Sequence, residues 1–252
     1  MSKSLRACLQ DAELLVGTWV KTPSPMVCEV LGTTALDLLC LDAEHAPFDR
    51  AAIDGCLLAT RAAGMPALVR IPSAAPEYIL SALDCGANGV VVPHVTSPGM
   101  ARDVVKAAHY GAGGRGYAGS SRAAGYTGKS MAEHLADSRA QTTVVAQIED
   151  LEALDAIDDI AAVDGIDCLF IGRIDLTVAM GAASAADAEV VAAVENVCAA
   201  GRKARRPVGM FVGDLDELPR WIEAGASLFL LSSDHGFMLQ GANRLLRAVK
   251  DS

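Results

Sequence analysis

Along the chain, short runs of apolar, mostly β-branched or leucine residues alternate with longer stretches in which apolar positions recur with a helical period. Eight short runs stand out, at residues 14–20, 36–42, 66–71, 89–92, 143–148, 167–171, 207–212 and 227–231. Each is too short for a helix and too uniformly apolar for a strand with one wet face, which is the pattern of a parallel strand buried on both sides. Between them lie amphipathic segments at 50–63, 77–85, 97–110, 150–157, 188–200 and 215–223. Glycine or proline marks the return from helix to strand at Gly64, Pro66, Gly86, Gly165, Pro207 and Gly225. Strict alternation of this kind builds a parallel sheet, and eight units close as an α/β (β/α)8 TIM barrel. The rival is an open doubly wound sheet. Its glycine-rich G-x-G-x-x-G turn is absent after the first run, which reads Thr18-Trp19-Val20-Lys21-Thr22-Pro23.

The chain has 252 residues, the size of one such barrel at about 250 residues. No linker or low-complexity tract divides it, so a single domain over 1–252 is expected. One stretch is irregular: residues 111–130 hold seven glycines together with Arg115 and Arg122. A long glycine-rich connection is either a mobile segment that approaches a ligand or a plain surface crossing, followed here by an extra helix at 131–140.

Barrel chemistry gathers where strands end at their carboxyl side, which yields a list of candidates before any motif is considered. The ends carry Lys21, Asp42 with Glu44 and His45, Arg70, Pro93-His94, Gln147 with Glu149, Arg173 with Asp175, Phe211, and Ser232-Ser233-Asp234. Glu149 and Asp175 follow neighbouring strands and are expected side by side. Two carboxylates without a cysteine or histidine partner form a hard oxygen site suited to Mg²⁺ or Mn²⁺, with Co²⁺ as a further candidate. Asp42 and His45, three residues apart in one turn, can form a dyad in which the carboxylate orients the imidazole. A capped turn is the plainer reading of the same residues. Arg70 can donate several hydrogen bonds to an oxyanion, while Asp84 reads by pattern as a surface charge near a helix end.

Charge and cysteines narrow the classes. With 31 acidic and 21 basic residues the net charge is −10, the wrong sign for a phosphate backbone, so nucleic acid is not an expected partner. The seven cysteines are scattered and contain no C-x-x-C pair, which suggests reduced thiols in the cytoplasm and no zinc site. No segment reaches the roughly 20 apolar residues of a membrane helix, and the first residues lack a signal-peptide pattern.

Four motifs in order, Leu41-Asp42-Ala43-Glu44-His45-Ala46-Pro47, Val69-Arg70, Gln147-Ile148-Glu149 and Phe170-Ile171-Gly172 through Asp175-Leu176, resemble those of the HpcH/HpaI family of class II, metal-dependent 2-oxo acid aldolases. The resemblance runs from about Gly17 to Gln240. It implies a barrel whose last helix is exchanged between subunits, assembled as a homo-oligomer of dimers or a hexamer. It implies Glu149 and Asp175 as metal ligands, His45 as general base, Arg70 as the stabiliser of the enolate and Asp84 as the residue that raises the basicity of the histidine. Gln147, Gly172, Ile174 and Asp175 are the implied substrate contacts, partly through backbone N–H groups. Trp19 and the 111–130 segment are candidates for lining the aldehyde end of the pocket. Two positions depart from the family pattern, Arg173 and Ile174, where proline and a small residue are usual.

The reaction so implied is reversible cleavage of a 4-hydroxy-2-oxo acid to pyruvate, or a related 2-oxo acid, and an aldehyde. Three alternatives stay open on the residues alone. A Schiff-base aldolase would need Lys21, the lysine at a strand end. An oxaloacetate-type decarboxylase would use the same enolate chemistry, and a barrel that only binds 2-oxo acids would need no base.

Overall fold

The computed structural model describes residues 3–251; residues 1, 2 and 252, the ends of the expected domain, lie outside them. Every predicted run is a strand: β1 (Leu15–Val20), β2 (Leu38–Asp42), β3 (Ala67–Arg70), β4 (Gly89–Val92), β5 (Thr143–Ile148), β6 (Cys168–Ile171), β7 (Val208–Val212) and β8 (Ala226–Ser233). They pair in sequence order, and β8 pairs in parallel with β1 to close the barrel. The first half of the helices comprises α1 (Leu5–Gln10), α2 (Pro25–Gly32), α3 (Arg50–Ala62), α4 (Pro76–Asp84), α5 (Pro98–Ala108) and α6 (Met131–Gln141). The second half comprises α7 (Leu151–Asp155), α8 (Ile157–Ala161), α9 (Arg173–Ala179), α10 (Ala188–Ala204), α11 (Leu218–Glu223) and α12 (Asp234–Lys250).

Because side chains alternate along a strand, each strand serves two cores. Leu39, Leu41, Val69, Val90, Val144, Ala146, Ile148 and Ile171 face outward into the layer shared with the helices. Trp19, Leu38, Cys40, Leu68, Val91, Val145, Phe170 and Leu230 fill the interior, and Leu5 and Leu9 of α1 join them. The barrel is therefore a packed body, and its chemistry is confined to the rims.

Two segments stand apart from the regular barrel. The 111–130 connection, followed by α6, is part of the return from α5 to β5, so it lies at the amino ends of the strands, away from the rim where the candidate residues gather. It is also fastened down. Arg122 Nη2 meets Asp54 Oδ2 of α3 at 2.6 Å, and Arg115, buried and stacked 4.7 Å over the Tyr110 ring, pairs with Asp84 at the end of α4. Within one chain it does not line the aldehyde end of the pocket. The second is α12: Phe237, Met238, Leu239, Leu245 and Leu246 are exposed along it, more apolar surface than a helix seated on its own barrel normally leaves to water.

Candidate active site

The alternation that fills the barrel also builds the site. One step past Cys40, Leu68 and Val145 on the inner face come Asp42, Arg70 and Gln147, so the interior turns from apolar to charged where the strands end. Asp42 and Arg70 are register partners on adjacent strands. Arg70 donates to Asp42 Oδ1 from Nε at 3.0 Å and from Nη2 at 2.9 Å, and its guanidinium lies 4.3 Å from the Trp19 ring centroid. Burial opposes ionisation of Asp42, but the hydrogen bonds and charge of Arg70 outweigh it and hold the carboxyl below its ordinary range. Arg70 is thus pinned from the side by a carboxylate and from below by an aromatic face. Trp19 is 6% exposed and meets Phe170 edge-on, so it acts as the floor under Arg70 rather than as an open pocket wall.

The expected dyad of Asp42 and His45 does not form. Asp42 accepts the backbone N–H of His45 at 3.1 Å, which closes the turn, and its carboxylate is taken by Arg70 across the sheet. The imidazole points to solvent with Nε2 3.8 Å from Glu44 Oε2. Lys21 is no free surface charge either, because its Nζ lies 3.4 Å from Asp42 Oδ2, as a second counter-ion to the buried carboxylate.

A second cluster stands next to the first. Ligand atoms of Glu44, His94 and Glu149 lie within 4.8 Å of one another. Glu149 is buried; its Oε1 accepts the His94 backbone N–H at 3.0 Å and its Oε2 accepts from the Gln147 side chain. Glu44 is held by Arg70 Nη1 at 3.2 Å. Burial pushes the Glu44 carboxyl up and the neighbouring Glu149 charge adds to this, against the pull of Arg70. Crowded carboxylates of this kind call for a cation. Gln147 supports the same reading: it is 1% exposed, and its Oε1 has no hydrogen-bond partner among the described residues. The donors therefore fit a divalent ion.

Asp175 is exposed in the first turn of α9 and is not a member of that three-residue group. The turn that carries it does touch the site, because Gly172, the residue before the helix, lies against Glu149. A Cβ on Gly172 would stand 2.5 Å from Glu149 Oε2, closer than any real contact. Gly172→Ala is accordingly expected to displace the carboxylate and weaken divalent-ion binding by roughly tenfold or more, measured by titration calorimetry; unchanged affinity would show that the close approach is unimportant. Of the two unusual residues, Arg173 turns away from the site: it pairs with Glu217 at 2.7 Å and packs over Trp221 at 5.4 Å. Its charge is neutralised there. Ile174 is exposed at the rim.

Asp84 is not brought to His45. As the last residue of α4, which runs back along the barrel, it lies at the opposite end, paired with Arg115. Glu44 and His94 stand out in the sequence as strand-end residues, and nothing in it assigns either a role. The signal for His94 is conformational, since its backbone is left-handed at φ 54°, a strained state for a residue with a side chain and one that concentrates at functional sites.

A family model described as HpcH/HpaI aldolase/citrate lyase matches residues 15–240. The chain is 32% identical over 246 residues to a hydroxypyruvate/pyruvate aldolase of Roseovarius nubinhibens, covering 97% of this chain and 96% of that one. It is 31% identical over 247 residues to a 5-keto-4-deoxy-D-glucarate aldolase of Klebsiella pneumoniae, with 97% and 96% covered. A crystal structure of an HpcH/HpaI aldolase/citrate lyase family protein from Burkholderia cenocepacia superposes with a TM-score of 0.92 at 34% identity, over 98% of each chain.

Proposed function

The chain belongs to the HpcH/HpaI aldolase/citrate lyase family, and on that premise we propose that it is a metal-dependent carbon–carbon lyase cleaving a 4-hydroxy-2-oxo acid to pyruvate and an aldehyde. One observation carries the reading: Arg70, fixed by Asp42 and Trp19, shares Glu44 with a cluster of ligands that includes Glu149. A cation held by that cluster and the Arg70 guanidinium would thereby meet at the carboxyl rim.

Glu149, with Asp175 as second carboxylate, would hold a divalent ion, which would supply a Lewis acid for the 2-oxo carbonyl. Arg70 presents its guanidinium to the enolate oxygen, where negative charge grows as the C3–C4 bond breaks. His45, exposed at the rim, takes the C4-hydroxyl proton through a water. Gln147 and the backbone N–H groups from Arg173 to Asp175, which a first helical turn leaves free, orient the substrate carboxylate, while the Gly172 N–H is already taken by the Ile148 carbonyl at 3.0 Å. Ile174 narrows the mouth at which the aldehyde departs.

The direct test is pyruvate release from a panel of 4-hydroxy-2-oxo acids, with borohydride added in parallel. Turnover without covalent trapping is the expected result. Trapping at Lys21 would replace this mechanism with a Schiff base, and tight 2-oxo acid binding without turnover would leave only a binding protein.

The active form in this reading is a homo-oligomer with α12 exchanged between subunits, which would cover Phe237, Met238, Leu239, Leu245 and Leu246. A contribution of Asp84 to His45 then has to come from a second chain, since the two residues sit at opposite ends of one barrel. The variant Met238→Glu/Leu246→Glu is expected to give a smaller species by light scattering and to lose activity; an unchanged mass would contradict the assembly. A cytoplasmic location fits the seven unpaired cysteines, and no helix of the described residues is long and apolar enough to cross a membrane.

A further inference from the structure

The amino end of the barrel, opposite the rim of the candidate site, holds a cavity of about 770 Å³ for which the proposed chemistry has no use. Leu5 and Leu9 of α1 pack into the barrel interior at this end. Beside them the cavity is walled by Arg6 of α1, His109 and Tyr110 after α5, Arg115 and Tyr117 of the glycine-rich connection, and Arg139 of α6. Its size is that of a site for a small organic molecule, about 300–1,000 Å³. Among the described residues that line it are three arginines and a histidine, and no acid. In a chain whose net charge is −10, a wholly cationic lining does not follow from composition.

Two carboxylates outside the lining meet these cations, and both are engaged. Asp167 accepts Arg6 Nε at 2.8 Å through Oδ1 and the Val144 N–H at 2.9 Å through Oδ2. Asp84 pairs with Arg115 Nη2, while Arg115 Nε, on a buried side chain, has no partner among the described residues. Arg139 gives its backbone carbonyl to Arg6 Nη1 at 2.7 Å, but its guanidinium has no carboxylate partner among the described residues. The ring of half-buried His109 likewise makes no hydrogen bond among them. Burial pushes this imidazole below its ordinary range, Arg6, Arg115 and Arg139 push it further, and Asp167 opposes them. The ring is therefore neutral at pH 7, and it gains a proton when an anion offsets the field around it. Guanidinium forks match the oxygens of carboxylate and phosphate, and the exposed ring of Tyr117 offers an apolar face to the body of an organic ligand.

We propose that this cavity binds a small organic dianion, a phosphate monoester or a dicarboxylate, whose oxygens Arg139 and Arg6 hold and whose second charge is balanced by a proton that His109 takes from solvent. The site lies at the opposite end of the barrel from the aldol chemistry and stands independently of it.

The test is calorimetric titration of the whole protein with sulfate, which stays a dianion throughout the range used, so that any proton linkage belongs to the protein. Binding raises the His109 value, so the added affinity is complete below the free-protein value and is lost as pH rises through the bound one. Wild-type affinity is accordingly expected to increase from about pH 8 to about pH 6, and heats in buffers of different ionisation enthalpy show proton uptake. Arg139→Gln lowers the affinity by about tenfold or more, and His109→Gln removes the pH dependence. Arg139 is exposed, so its variant keeps the fold, which an unchanged melting temperature checks. Glu149→Gln, altered at the other rim, binds sulfate as the wild type does. Titrations with glycerol 3-phosphate and with succinate then decide between the two dianions, the tighter of which names the ligand class. A wild-type protein that binds none of the three, or binding that Arg139→Gln leaves unchanged, would overturn the proposal. Binding without proton uptake would remove His109 from it.

Discussion

Replacing Glu149 by Gln lowers aldol cleavage by about a thousandfold, the scale of losing a dominant electrostatic stabiliser, and removes divalent-ion binding, while the melting temperature holds or rises. The two halves have one cause. Gln fills the same volume, still accepts the His94 backbone N–H through its amide oxygen, and donates from its amide nitrogen to Gln147 once that side-chain amide turns over to present its oxygen, so packing survives. The negative charge that burdens half-buried Glu44 is gone, which relieves the folded state of a like-charge contact. Steady-state kinetics, calorimetric metal titration and a thermal melt read the three quantities. A variant with near wild-type turnover would refute the role of Glu149, and a large drop in melting temperature would recast it as structural.

Arg70→Met is the second large effect and has the opposite signature, because both activity and stability fall. Asp42 is fully buried and bonded to Arg70 through two nitrogens. Breaking a buried pair by removing one member typically costs about 3–5 kcal/mol, and Lys21 at 3.4 Å offsets part of it. The sign of the pH dependence follows from the depressed Asp42 carboxyl. Its contribution is complete above the unfolded carboxyl range near pH 4 and is lost as pH falls through the still lower folded value; in Arg70→Met this acid-side dependence shrinks. The double variant Arg70→Met/Asp42→Leu separates the two roles. It regains most of the stability, as replaced buried pairs commonly do, but stays about a hundredfold or more below wild type in turnover. Full recovery of activity in the double variant would remove Arg70 from the chemistry.

How much of this was legible in the chain depends on how local the cause is. The eight strands declare themselves because a strand buried on both faces has to be apolar throughout, as in Gly89-Val90-Val91-Val92, and because glycine or proline marks most of the returns from helix to strand. The list of strand ends, from Asp42 to Asp175, follows from chain direction alone. What the chain does not disclose is which way a side chain turns. Asp42 and His45 have the spacing of a dyad, but cross-strand register gives the carboxylate to Arg70. Arg173 stands at the rim in sequence and leans away onto Trp221 and Glu217 in space. His94 follows a proline in an unremarkable turn, and the left-handed backbone that directs it at Glu149 is set by tertiary contacts. The 111–130 segment stays open between two readings for a different reason. Glycine content suggests a mobile segment near a ligand, whereas its place between α5 and α6, on the return to β5, assigns it to the far end of the barrel, and the ion pairs from Arg115 and Arg122 hold it there.

The central claim is that cleavage depends on a divalent ion at Glu149, and the most direct measurement is pyruvate release before and after exhaustive chelation, with Mg²⁺, Mn²⁺ or Co²⁺ then restored. The account predicts activity lost on chelation and recovered with the ion, with no recovery in Glu149→Gln. Activity that survives metal removal would contradict it and turn attention to Lys21.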